Sequence, residues 1–285
     1  MSLNFDRVAI IGVGLLGSSL GLAMKARGLA RHVVGVGHRQ SSLDTALQVG
    51  AVDEATLSLS DAVTGADLII IATPAGLVAP KLDQIRRLCA PDTIVTDVAS
   101  TKRTICAHAH ATWTAPRRFI GSHPMAGSDK YGPEHGHPDF YEGAVCLVED
   151  SEGLEHRARE IVCALWAAVG ARVLDVDPAQ HDTMLARTSH IPHVVSAALA
   201  SLAVRGGDVR FMIGNAFRDM TRIAASRPEL WRDICLTNRE AVLEGLREFQ
   251  RDLEELTREL EAGNAPALDD FFRQGAEARR KAVES

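Results

Sequence analysis

The sequence predicts an α/β domain with a parallel sheet covered on both faces, followed by an all-helical domain. Two observations carry this. Over residues 1–177 short β-branched runs alternate with apolar-periodic segments of helical length, the pattern of a sheet crossed over by helices. From residue 178 onward no convincing strand is expected, and the apolar spacing is helical throughout. The border is placed at Asp177, giving domains 1–177 and 178–285.

In order, residues 7–11 (with VAII) are expected to form a strand buried on both faces. GVGLLG follows at 12–17 and opens a helix reaching about Arg27. Strands are expected at 32–36, 67–72 and 93–98, with helices at 42–50 and 77–88 between them. Phe119 and Ile120 form another short apolar run. A strand at 143–149, a helix at 152–169 and a strand at 171–176 close the first domain. Residues 192–205 are Ala-rich and apolar nearly all round, which marks a buried helix. Leu246, Phe249, Leu253, Leu256 and Leu260 repeat at steps of three and four, a coiled-coil-like seam.

Composition narrows the function classes. The chain has 285 residues, 46% hydrophobic and 24% charged, with a net charge of −6. That is an ordinary folded protein without the basic face a nucleic-acid partner needs. Its five cysteines are scattered and never spaced C-x-x-C, which reads as reduced thiols in a cytoplasmic protein. No apolar run reaches about 18 residues, so no membrane span is expected, and the start is too polar for a signal peptide.

Gly12, Gly14 and Gly17 form G-x-G-x-x-G between a predicted strand and a predicted helix. The first permits a tight turn, the second admits a pyrophosphate, and the third lets helix pack on strand. The helix N-terminus adds free N–H groups and the positive dipole end. This is the fingerprint of a Rossmann-type dinucleotide-binding domain; Leu15 and Leu16 lie within the loop, and Thr73 and Pro74 bound another strand end on the same side. At the end of the second strand, the position that carries Asp or Glu in enzymes using the unphosphorylated dinucleotide is Gly37, followed by His38, Arg39 and Ser41. A cation with hydroxyls favours NADP over NAD, the alternative being that Arg39 is a solvated turn residue.

Ligands in such folds lie beyond the carboxyl ends of the strands. Two stretches fall there: TDVASTK with Ser100, and GSHPMAGSDKYG with His123 and Asp129. A histidine, with a reference pKa of about 6.5, accepts a proton at neutral pH. His190 and His193 open the apolar helix, and FRDMTRIAASRPELWRDI follows with Asp219, Arg222 and Trp231. Arg218 and Arg222 are one turn apart and share a helix face; Asp219 is placed to pair with either. The alternative is a solvated, salt-bridged face, with Trp231 in the core.

GVGLLGSSL, TDVASTK, GSHPMAG, SHIPH and FRDMTR, in this order, resemble the prephenate and arogenate dehydrogenases of tyrosine biosynthesis over nearly the whole chain. The resemblance implies a Rossmann domain followed by an all-α dimerisation domain, hence a homodimer. It implies oxidative decarboxylation of prephenate to 4-hydroxyphenylpyruvate, or of arogenate to tyrosine. His123 then resembles the catalytic histidine, Ser100 the residue orienting it and the ring hydroxyl, and Arg222 the arginine that holds a substrate carboxylate. His190, His193 and Trp231 match pocket-lining positions. Asp129 stands where some relatives carry Glu, and Asp219 and Asp129 are candidates for the ammonium of arogenate. Aromatisation drives loss of carbon dioxide, so no metal is needed.

Three rivals remain. A β-hydroxyacid-type reductase would place a catalytic Lys on a helix after the border, and there is no Lys between Lys130 and Lys281. A non-catalytic dinucleotide-binding module would not account for GSHPMAG. A metal site at His135, His137 and Asp139, or at His108 and His110, fits no common spacing.

Overall fold

The computed structural model describes residues 3–128 and 130–283. In chain order these form β1 (Val8–Ile11), α1 (Leu15–Ala26), β2 (Val33–Val36), α2 (Gln40–Gln48), β3 (Glu54–Thr56), α3 (Leu59–Val63), β4 (Leu68–Ile71), α4 (Ala75–Leu88), β5 (Ile94–Asp97), α5 (Arg103–Thr112) and β6 (Phe119–Ile120). There follow β7 (Ser122–Pro124), β8 (Val145–Glu149), α6 (His156–Ala168) and β9 (Arg172–Val176). Among the described residues everything after β9 is helical or irregular: α7 (Pro178–Leu185), a π turn (Ala186–His190), α8 (Ile191–Ala203), α9 (Asn215–Thr221), α10 (Pro228–Thr237), α11 (Arg239–Glu261) and α12 (Ala265–Val283).

The first six strands form one parallel sheet in the order β3-β2-β1-β4-β5-β6. Alternate residues feed two cores. Val8, Ile10, Leu68 and Ile70 face the layer with Leu20 and Met24 of α1. Ala9, Ile11, Ile69 and Ile71 face the layer with Val78, Leu82 and Ile85 of α4. Both faces of β1 and β4 are therefore buried, which explains their continuous rather than alternating apolar runs. The short strand β3 and helix α3 escape a periodicity reading because each has at most five residues.

After β6 the chain changes sheet across one residue, Gly121. Strand β7 pairs antiparallel with β8, and β8 pairs parallel with β9. A Cβ at Gly121 would stand 2.8 Å from Cys106 Sγ and 3.2 Å from Glu149 Oε2, so the switch has room for glycine only. Ser122 locks the two sheets together. Its Oγ donates to the Asp97 carbonyl at 2.5 Å and accepts from Trp166 Nε1 at 3.0 Å.

By compactness the chain forms two units, residues 1–239 and 240–285. Helices α7 and α10 are fastened to the α/β part. Asp182 of α7 accepts the backbone N–H groups of Lys102 and Arg103, and Asp233 of α10 accepts that of Gly76 in α4. Residues 240–285 form the second unit, with α12 and most of α11. In that unit Phe249, Leu253 and Leu260 of the seam are exposed.

Helix α8 forms where expected, but it is not buried within the chain. Only Ile191 and Ser196 of this helix are buried, and Leu202 is 59% exposed. The all-round apolar composition comes from a face that nothing in the first unit covers. No described helix is long and apolar enough to cross a membrane.

Candidate active site

The strand order reverses between β1 and β4, which opens a crevice at their carboxyl ends. Gly12 begins the turn there with φ +105°, a conformation that favours glycine, and a Cβ on it would overlap the Ala72 carbonyl. A Cβ on Gly17 would overlap the Gly12 carbonyl, which is the helix-on-strand approach expected of that position. Gly14 differs: open space surrounds its Cβ position, and it stands at the N-terminus of α1 with no side-chain cap. Leu15 and Leu16 begin that helix, so their N–H groups lack intrahelical partners.

Across the crevice Thr73 Oγ1 is buried without a hydrogen bond, and Pro74 precedes the N-terminus of α4. These features fit a dinucleotide: uncapped amides, open space over Gly14 and an orphaned hydroxyl on one rim. His38, Arg39 and Ser41 are exposed at the β2–α2 turn, with Arg39 Nε donating to His38 Nε2 at 2.9 Å.

His123 is carried by β7 and is 7% exposed. Its Nδ1 lies 2.9 Å from His181 Nε2, and His181 Nδ1 lies 2.7 Å from Asp182 Oδ1. Burial, His181 and Lys102 hold the His123 ring well below the usual histidine pKa, so it is uncharged at pH 7. Asp182 caps α5 from another element, accepting Lys102 N at 2.7 Å and Arg103 N at 3.0 Å. Beneath them Lys102 Nζ is 2.5 Å from Asp97 Oδ2, a pair with almost no solvent exposure. Asp97 Oδ1 also accepts Ser122 N at 3.1 Å, which ties the TDVASTK turn to the strand bearing His123. Ser100 is partly buried in that turn, and its hydroxyl has no hydrogen bond among the described residues.

The other histidines lie along one continuous helical path. The π turn widens the helix just before α8 and puts His190 beside Asn238. Asn238 Nδ2 donates to the Asp182 carbonyl at 2.7 Å and to His190 Nδ1 at 3.1 Å. His190 Nδ1 is thus an acceptor, and the hydrogen of its neutral ring is on Nε2, a buried nitrogen without a partner. Burial pushes the His190 pKa down to about 4. His193 Nδ1 donates to the Ser189 carbonyl at 2.9 Å, and its ring stacks on Trp231. Trp231 is partly buried, and its Nε1 is also buried and unpartnered.

Burial lowers the His193 pKa, and the exposed Arg222 guanidinium adds to that lowering. Arg222 does not continue the helix of Arg218: α9 ends at Thr221 and a tighter 3₁₀ turn begins at Arg222. No ion pair to Asp219, which is exposed, is present among the described residues. Asp129 lies outside the described residues. Among the described residues no three His, Cys, Asp or Glu gather as a metal site. His108 instead bonds Asp83 at 3.0 Å, and His110 bonds Glu149 at 2.8 Å.

Sequence reasoning missed His181, Asp182 and Asn238. The signal that could have found the first two is the adjacent His-Asp on a helix that Asp177 and Pro178 cap strongly.

A phosphate-ready helix N-terminus at the switch point of a parallel sheet, with an uncharged, buried histidine on the strand that leaves that sheet, is the arrangement of a dinucleotide-dependent oxidoreductase. Comparison with known proteins is specific. Residues 20–175 match the family model for the prephenate dehydrogenase nucleotide-binding domain, and residues 177–274 match that for its dimerization domain. A cyclohexadienyl dehydrogenase from Zymomonas mobilis is 30% identical over 96% of this chain and 95% of its own. A solved prephenate dehydrogenase from A. aeolicus, in complex with hydroxyphenyl propionate and NAD+, superposes with a TM-score of 0.90 at 27% identity, covering 99% of this chain and 100% of that one. Synechocystis arogenate dehydrogenase gives a TM-score of 0.82 at 29% identity, covering 97% and 100%. The chain belongs to the prephenate dehydrogenase family.

Proposed function

We propose that this chain oxidatively decarboxylates prephenate to 4-hydroxyphenylpyruvate, with NADP as the favoured dinucleotide, in the cytoplasmic synthesis of tyrosine. The observation that carries it is the His123 ring: uncharged, nearly buried, and held on the strand that leaves the dinucleotide sheet. The chemistry needs a base for one hydroxyl proton and a grip on carboxylate. His123 takes the proton, help that typically supplies about 10²–10⁴-fold in rate. Ser100 orients the hydroxyl. Arg222 binds a substrate carboxylate, and a bidentate pair of this kind fixes ring orientation. His190 presents its Nε2–H to a second oxygen, and the His193–Trp231 stack walls the ring from water. A nicotinamide held by the glycine turn would supply the hydride acceptor. Loss of carbon dioxide then makes the ring aromatic.

Gly12, Gly14, Leu15, Leu16 and Gly17 hold the pyrophosphate, with Thr73 and Pro74 on the opposite rim. The NADP preference rests on Gly37, Arg39 and Ser41. Position 37 is glycine, so no acidic side chain stands there, and Arg39 is exposed beside His38 to meet a ribose phosphate. The test is a steady-state assay crossing prephenate and arogenate with NAD and NADP; absence of turnover in all four combinations would refute the activity.

Arogenate is the second reading. Asp219 supports it, as an exposed carboxylate one turn from Arg222 without an ion pair among the described residues. The proposed assembly is a homodimer through the helical domain beginning near residue 178. The exposed apolar face of α8 and the exposed members of the Leu246-to-Leu260 seam support it. Light scattering on the purified chain at micromolar concentration tests it, and a monomer would refute it.

A further inference from the structure

We propose that His181 and Asp182 are positioning residues that fix which nitrogen of His123 carries hydrogen, leaving Nε2 bare to receive the substrate's proton. The proposal deepens the dehydrogenase reading and rests on it for its catalytic meaning, though not for its geometry.

Lys102 N and Arg103 N can only donate, and both point at Asp182, one at each oxygen. They belong to the N-terminus of α5, where the helix dipole favours a negative charge. Asp182 is therefore an ionised carboxylate, which only accepts. His181 Nδ1, at 2.7 Å from Oδ1, must carry a hydrogen. Burial opposes a second one, so His181 Nε2 is a lone pair at neutral pH. That lone pair faces His123 Nδ1 at 2.9 Å, a contact that requires hydrogen on His123 Nδ1. The uncharged His123 ring has one hydrogen only, so its Nε2 is left as an acceptor.

The reverse arrangement would set two lone pairs against each other between two buried rings, and it would offer the substrate hydroxyl a donor instead of a base. When the hydroxyl O–H bond breaks and the Nε2–H bond forms, the resulting imidazolium keeps Nδ1–H directed at His181. Asp182 faces that positive charge through His181. The other charged groups close by, Lys102 and Asp97, are occupied with each other at 2.5 Å. The same logic operates in the Ser-His-Asp triad, where an amide replacing the carboxylate gives the wrong tautomer and about a 10⁴-fold loss. Here a second imidazole stands between carboxylate and base.

The test is nitrogen-15 NMR of the imidazole rings in the full-length, ligand-free protein, using long-range proton–nitrogen correlations. The wild type is expected to show His123 with protonated Nδ1 and bare Nε2. Asp182→Asn is expected to convert the ring to the Nε2–H form, lower kcat by about 10²–10⁴-fold, and leave dinucleotide Kd within about threefold. An Nε2–H form of His123 in the wild type would overturn the proposal, whether or not the variant folds. So would an Asp182→Asn protein with unchanged ring signals and an unchanged pH profile of kcat. If the wild type turns over neither substrate, the functional reading fails while the NMR result still decides the tautomer.

Discussion

The imidazole of His193 lies flat against the indole of Trp231, with ring centroids 3.5 Å apart and planes 21° from parallel. Two half-buried rings from α8 and α10 thus form one rigid wall. Its polar edge holds Trp231 Nε1, which has no partner. A stacked pair of this kind is worth about 0.5–1.5 kcal/mol beyond its buried area. Trp231→Ala is expected to raise the substrate KM about 3- to 10-fold and to leave dinucleotide Kd unchanged. Steady-state kinetics with a parallel dinucleotide titration checks this, and an unaltered KM counts against a pocket role.

Arg222 begins a 3₁₀ turn rather than continuing a helix, and it has no ion pair among the described residues. A carboxylate gripped by a guanidinium contributes about 1.5–3 kcal/mol. Arg222→Ala is therefore expected to raise KM for the dicarboxylate substrate by roughly 10- to 150-fold, with Arg222→Lys intermediate because an ammonium lacks the planar fork. Initial-rate measurements over a wide substrate range read this directly. An unchanged KM would remove Arg222 from the site.

Arg39 is expected to select between dinucleotides. Arg39→Ala should lower kcat/KM for NADP by tenfold or more and leave that for NAD within about twofold. Equal losses for both would show that the residue acts on the turn and not on a ribose phosphate.

His190 gives a pH dependence of stability with a definite sign. Its folded pKa of about 4 lies below the unfolded value of about 6.5. Between those values the unfolded chain binds the extra proton, so stability is full above about pH 6.5 and falls as pH drops towards 4. The loss from this residue is on the order of 3 kcal/mol. Urea titrations across that window should give a flatter curve for His190→Gln than for the wild type; parallel curves would contradict the assignment.

The dinucleotide half was legible because its signals are local. VAII, GVGLLG and DLIIIA encode strand, turn and strand within a few residues, and the two-faced burial of β1 and β4 follows from their unbroken apolar runs. His123 was legible from its place after a strand end. The His181–Asp182 support was not, because it depends on α7 folding back onto the N-terminus of α5, a contact spanning about eighty positions. Nor was the placement of His190. Nine residues of regular helix would set it about 180° from His181, and the π turn that resets this phase has no sequence signature. Helix α8 misled in a different way: an apolar surface reads as buried whether its cover comes from the same chain or another.

Turnover is expected to depend on one nitrogen base, the His123 imidazole. The most direct measurement compares wild type and His123→Asn in two assays, dinucleotide binding by fluorescence titration and turnover of prephenate and arogenate. The expected result is dinucleotide Kd within about threefold of wild type and kcat lowered by about 10²–10⁴-fold. A His123→Asn protein that turns over near the wild-type rate would contradict the account.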